Sequence, residues 1–175
     1  MALIAVTACT STKTTPVSET TPESLSLPIG IDPRIAASGD PAPPIALPAP
    51  PDLVWQALIV AYDSLGIRLG IYDPAQHLMG NQGMQVRQKV GKTLLSRYIE
   101  CGSMQIGPSA DSDDVLLSVI THVRVNENGV TQVATRVSAS ARPPTFAQNY
   151  TRCTSKGELE KRLTQFLSAA LNAGH

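Results

Sequence analysis

Four groups of residues in this chain could do chemistry by type: Cys9, Cys101 and Cys153; His77, His122 and His175; the acids Asp111, Asp113 and Asp114; and the triplet Gly91-Lys92-Thr93. The triplet has the ending of a phosphate-binding loop, but that loop needs a glycine five residues before Gly91, where Val86 stands. Acids at alternating positions are how a calcium loop begins. Here the glycine and the later glutamate of an EF-hand are out of register and a strand follows, so a solvated acidic turn is expected. His122 shares a strand face with Ser118, Ile120 and Arg124, an outward or partly covered face, and His175 is expected in solvent. No Gly-x-Ser-x-Gly elbow supports a Ser/His/Asp set, and a Cys-His pair would need a cysteine kept reduced. Cys101 and Cys153 could be two buried free thiols or a metal site. Metal is disfavoured, because there is no Cys-x-x-Cys and no histidine close in sequence to either. The expectation is a protein that is not an enzyme and holds no metal and no cofactor.

The elements that position these residues centre on Val115 to Ala141. Two arms rich in β-branched residues flank Asn126-Glu127-Asn128-Gly129, which predicts a long hairpin with Asn128-Gly129 at its reversal. With period two, Val115, Leu117, Val119, Thr121, Val123 and Val125 share one face. An isolated hairpin is marginal in water, so helices must cover that face. The first helix is predicted over Asp52 to Leu65, with Val54, Trp55, Leu58, Ala61, Tyr62 and Leu65 at helical spacing and Gly66 closing it. The last helix follows Ser155-Lys-Gly-Glu158, a capping box, and its face carries Leu159, Leu163, Phe166, Ala170 and Leu171. Trp55, Leu58, Tyr62, Leu163 and Phe166 are the expected core anchors. Between them, strands are expected over Gly66–Tyr72, His77–Gly80 and Met84–Val90, then a short helix over Thr93–Ile99 and a loop over Ser103–Asp114. The order α-β-β-β-α-β-β-α predicts an α+β fold, an antiparallel sheet packed against helices on one face.

Of 175 residues, 14 are Lys or Arg and 14 Asp or Glu. This balance offers no basic field to gather phosphates, so nucleic acid is not an expected partner. No apolar run is long enough to span a bilayer as a helix. Prolines crowd the first third, and residues 10–49 read as a Pro/Thr/Ser/Ala-rich disordered linker ahead of a single domain over 50–175. Within the linker, the Leu25 to Ile35 patch is an alternative docking strand for the domain or a partner.

Val6-Thr7-Ala8-Cys9 resembles the lipobox of bacterial lipoproteins, in which small residues precede a cysteine that is lipidated and becomes the new N-terminus. Residues 1–9 then read as the remnant of a signal peptide, with the charged segment expected upstream. The resemblance implies a membrane anchor through lipid on Cys9, in the bacterial cell envelope facing the periplasm. Thr10 and Ser11 lack the aspartate that in some bacteria retains lipoproteins at the inner membrane, which points outward. With Cys9 so used, Cys101 and Cys153 remain as a pair in an oxidising space, and both lie at element boundaries. A disulfide between them would close a loop of about 50 residues, worth about 4 kcal/mol in the chain-entropy model.

Pro50-Pro51-Asp52-Leu-Val-Trp55, its helix, and Gly66-Ile-Arg-Leu-Gly-Ile-Tyr-Asp73 resemble the repeat unit of the BamC-type outer-membrane lipoproteins, whose helix-grip domains open with a tryptophan-bearing helix and a strand. This implies an accessory in envelope protein assembly that binds other proteins at a helix groove or a sheet edge. Two alternatives stand beside it. One is a periplasmic domain that binds a small apolar ligand in a cavity lined by Leu58, Tyr62 and Phe166. The other is a hydrolase with a cleft gathering His122, an acid and a nucleophile.

Overall fold

The computed structural model describes residues 42–105, 107–145 and 149–173. In chain order the elements are β1 (Ile45–Leu47), α1 (Pro51–Ser64), β2 (Ile71–Asp73), β3 (Leu78–Arg87), β4 (Lys89–Val90), β5 (Thr93–Leu94), a 3-10 turn (Leu95–Arg97), β6 (Ile99–Glu100), β7 (Ser103–Met104), β8 (Gly107–Pro108), α2 (Ser109–Ser112), β9 (Asp114–Val125), β10 (Thr131–Arg142), β11 (Thr151–Ser155) and α3 (Glu158–Ala173). The fold is α+β. A seven-stranded antiparallel sheet runs β2-β3-β9-β10-β11-β6, with β1 also paired to β10.

The hairpin is the centre of this sheet. β9 and β10 pair in unbroken register from Val125↔Thr131 to Asp114↔Arg142. Asn126 closes the turn: its side-chain Oδ1 accepts from the backbone N–H groups of Asn128 and Val130, and Gly129 alone there takes a positive φ, of 76°. Val115, Leu117, Val119, Val123, Val133, Val137, Ala139 and Ala141 lie on one face and are buried with the apolar side chains of both long helices. Val125, at the hairpin tip, is left half exposed.

Pro51 stands at the first position of α1, where its missing N–H costs no helical bond. Val54, Trp55, Ala57, Leu58, Ala61 and Tyr62 form the buried side of α1. The Tyr62 hydroxyl reaches through the core to Thr121 Oγ1 at 2.9 Å. On α3, Leu159, Leu163 and Leu167 are buried. Phe166 only packs partly against that core, so Leu167 takes the central place expected of Phe166.

Several expectations change. Thr93–Ile99 is not a helix: Thr93 and Leu94 pair back on Val90 and Lys89, and Gly91-Lys92 is the tip of that small hairpin. The strands expected on either side of Asn81-Gln82-Gly83 are one strand, β3, with a bulge between Asn81 and Met84. Of the expected Gly66–Tyr72 strand only Ile71 and Tyr72 are paired, in β2, which runs on to Asp73. Ile45–Leu47, placed by sequence in the linker, form β1 on the edge of β10. The expected capping box does not form: Ser155 is the last residue of β11, its Oγ accepts from the Gly157 N–H and donates to Glu160 Oε1, and Glu158 is the first residue of α3.

Candidate interaction surfaces

The cysteine pair follows from strand register. β6 and β11 match Ile99 with Ser155 and Glu100 with Thr154, so the next position outward sets Cys101 against Cys153. Their sulfurs stand 2.06 Å apart, at disulfide distance, with Cα atoms 4.3 Å apart. Around this staple Lys156 binds Glu100 at 3.1 Å and the Ser96 carbonyl at 2.8 Å, and Arg162 on α3 donates to Thr93 Oγ1 and Tyr98 Oη. Cys9, the Leu25 to Ile35 patch and His175 lie outside the described residues.

The acidic turn is not a solvated one. Asp111 accepts from the Ser96 N–H at 2.8 Å. Asp113 and Asp114 are buried, and Asp114 is bonded to Arg87. The Arg87 hydrogen bond and charge hold the Asp114 carboxyl below the usual carboxylate range, against a smaller opposing effect of burial. No cluster of three metal-ligating side chains occurs among the described residues.

The histidines divide. His77 sits at φ 48° at the entry to β3, its ring edge-on to Trp55 at 5.7 Å and its Nε2 3.9 Å from Asp52 Oδ1. Trp55 in turn donates to Tyr72 Oη at 3.4 Å. Sequence spacing could not foresee this, because α1 and the β2–β3 turn meet only in the fold. His122 lies between Leu78 and Ala134 in register. Partial burial, then the positive charge of Arg124, hold its imidazole below the ordinary value. Its cross-strand neighbours are thus apolar, whereas the hydrolase reading requires an acid and a nucleophile.

Leu58 and Tyr62 are fully buried in the packed core, and neither lines either of the two clefts described next. One cleft, of about 340 Å³, runs between the outer side of α1 and the C-terminal end of α3. Pro48, Pro50, Leu53, Ala57, Val60, Ala170 and Leu171 line it. The Thr131 hydroxyl, bonded to the Ala49 carbonyl at 2.6 Å, pins the proline segment that forms its end. Leu53 and Val60, about two turns apart on α1, are 45% and 55% exposed. Completing the burial of such half-exposed side chains is worth roughly half of the ~1.5–3 kcal/mol of a full Leu or Val burial. The second cleft, of about 440 Å³, lies where Ala42 and Pro43 meet β10 and the start of α3, and Ile45, Val133, Thr135 and Glu160 line it.

In comparison with known proteins, the chain matches no family model and no curated sequence.

Proposed function

We propose that this is a lipid-anchored envelope protein whose domain is a non-catalytic protein-binding module, an accessory in envelope assembly that acts through the α1–α3 groove. The observation that carries this reading is the largely apolar lining of that groove, in which Gln56 is the one polar side chain. Leu53, Ala57 and Val60 present the i, i+4, i+7 stripe on which an amphipathic helix docks, with Leu171 and Ala170 as the opposite wall. The partner is then an envelope protein offering such a helix. The cysteines at disulfide distance favour an oxidising space such as the periplasm, and the lipobox-like Val6–Cys9 supplies the anchor. A small apolar ligand is the less favoured reading, because Leu58 and Tyr62 are packed against protein.

The test combines fractionation with site-specific crosslinking in a bacterial host that expresses the complete reading frame. The expected chain begins at a triacylated Cys9 and is found in membranes. A photocrosslinker at Val60 is expected to capture one discrete envelope protein, whose purified form binds the domain and loses that binding with Leu53→Asp. A soluble, unmodified chain removes the anchor. Binding indifferent to Leu53→Asp removes the groove.

A further inference from the structure

The α1–α3 groove has a rim as well as a floor. Asp52, Gln56, Ile59 and Asp63 follow one another on α1 at i, i+4, i+7 and i+11, a spacing that lines them up along one side of the helix. All four are exposed, Asp52 with 86% of its side chain in solvent. The first three each stand one residue before Leu53, Ala57 or Val60, so this line runs along the outer edge of the groove, opposite the wall made by Ala170 and Leu171. The rim has an acid at each end and uncharged side chains between. Neither helix supplies a base against them: α1 contains no Lys or Arg, and α3 contains none from Leu163 to its end at Ala173. The two acids differ in what accounts for them. Asp52 lies in the first turn of α1, where the helix dipole favours an acid, and His77 Nε2 stands 3.9 Å from it. Asp63 lies in the last turn, where the dipole disfavours one, and no base shares that turn. Its own helix gains nothing from it. The negative end of α3 adds to the same field, since Ala170 and Leu171 of its final turn line the groove and that turn has no base either.

We propose that the groove takes a basic amphipathic helix of another protein, one whose apolar stripe is bracketed by two Lys or Arg residues that seat against Asp52 and Asp63. This rests on the helix-in-groove reading above and names the chemistry of its partner. The spacing follows from α1. At 1.5 Å of rise per residue the two acids stand about 16–17 Å apart along the axis, so the partner's bases lie about 10–12 positions apart on its own helix. Between them Leu53, Ala57 and Val60 receive apolar side chains, and the Gln56 amide is left for a polar one at the edge. An exposed ion pair adds little affinity, but two of them at fixed spacing select and orient the helix that the apolar stripe alone would accept in any register. A second copy of this chain fits badly: an isologous contact would set one acidic rim against another, with no base on either α1 to relieve it.

Binding of two synthetic helical peptides to the full chain, followed by fluorescence anisotropy, tests this. Both carry the same Leu/Ala stripe over about 18 residues. One has Lys, the other Glu, at two positions about 11 apart that flank the stripe. At low salt the Lys peptide is expected to bind roughly 10-fold more tightly, and the gap to close in about 0.5 M salt. Asp63→Lys is expected to narrow the gap, and Asp52→Lys with Asp63→Lys to invert it. Tighter binding of the Glu peptide by the double variant is a gain that an unfolded chain cannot give. Leu53→Asp is expected to weaken both peptides alike. Equal binding of the two peptides, abolished by Leu53→Asp, leaves the groove standing and overturns the acidic rim. A Lys preference that survives the double substitution also overturns it, since the bases then sit elsewhere. Failure of both peptides to bind removes the groove and the rim together. A chain that sediments as a dimer, and that Leu53→Asp dissociates, gives the groove to a second copy and overturns the proposal.

Discussion

Tyr62 shows what one side chain contributes here. Its ring lies in the apolar core, while its hydroxyl bonds Thr121 Oγ1, which in turn bonds Thr135 Oγ1 at 3.0 Å, a polar thread through the middle of the hairpin. Tyr62→Phe removes one end and leaves Thr121 with one partner fewer, which is expected to cost about 1–2 kcal/mol in urea denaturation at neutral pH. The same residue sets an alkaline limit. Burial raises the folded-state phenol well above its ordinary value, with the Thr121 bond opposing. Below the unfolded-state pKa of about 10 its contribution is complete; above it the unfolded chain gives up the proton while the folded chain holds it, so stability falls as pH rises. Urea midpoints from pH 8 to 11 are expected to drop more steeply in the parent protein than in Tyr62→Phe, and parallel curves would show that Tyr62 is not the group responsible. Helical spacing alone marked Tyr62 as a core anchor. Its partners could not be read, because they lie 17, 57 and 59 residues away and nothing local announces a tertiary hydrogen bond. The exchange of Phe166 for Leu167 has the same origin: the two are adjacent on α3, and a small rotation of the helix decides which one enters the core.

At the scale of elements, the long hairpin and two long helices were legible because each repeats its period several times and ends in turn or capping residues. The segment between β3 and β9 was not. Strands of two residues, such as β4 to β8, are too short to show a period, and Leu94, Leu95, Tyr98 and Ile99 mimic a helical face while serving a hairpin and a 3-10 turn. The Asn81-Gln82-Gly83 run read as a break for a related reason, since a bulge and a turn use the same residue types. The close pairing of β3 with β9 depends on one of the glycines in that region. Gly80 has φ 154°, and a Cβ there would stand 2.0 Å from the Val119 carbonyl oxygen and 2.8 Å from Ile120 Cα. Both obstacles are backbone of the central strand and cannot swing aside. Gly80→Ala is therefore expected to destabilise by roughly 2–4 kcal/mol and to loosen amide protection in β3 and β9 together. Gly129→Ala, with open space around it, is the comparison: it meets only the strain of its positive φ. If the two variants lose equal stability, close approach at Gly80 is not what matters.

Across the whole molecule, the sequence reading reached the fold class and the cysteine pair but not the surfaces. The α1–α3 groove is built from leucine, valine, alanine and proline, residues with no chemical signature, and its outline exists only once α1 and α3 are side by side. The cysteine pair could be anticipated because few cysteines leave few pairings and both bound an element. Its mechanical role also belongs to this scale. Cys101 and Cys153 are 52 residues apart and join the far strand, β6, to β11, so their bond encloses α2 and the entire central hairpin in one loop. β6 pairs with β11 at only two positions, and little else in the sheet holds that edge. Closing such a loop restricts the unfolded chain by an amount worth about 4 kcal/mol, a large share of the stability of a domain this size. Replacing both cysteines by alanine is expected to lower the melting temperature by roughly 10–15 °C and to expose the amides of β6 and β11 before those of β9 and β10. Replacing one alone is expected to cost at least as much, since it leaves a lone thiol as well as an open loop. A double variant that melts with the parent, or a native protein in which both thiols alkylate without reductant, would leave the sheet edge to be held by Lys156, Glu100 and Arg162 alone.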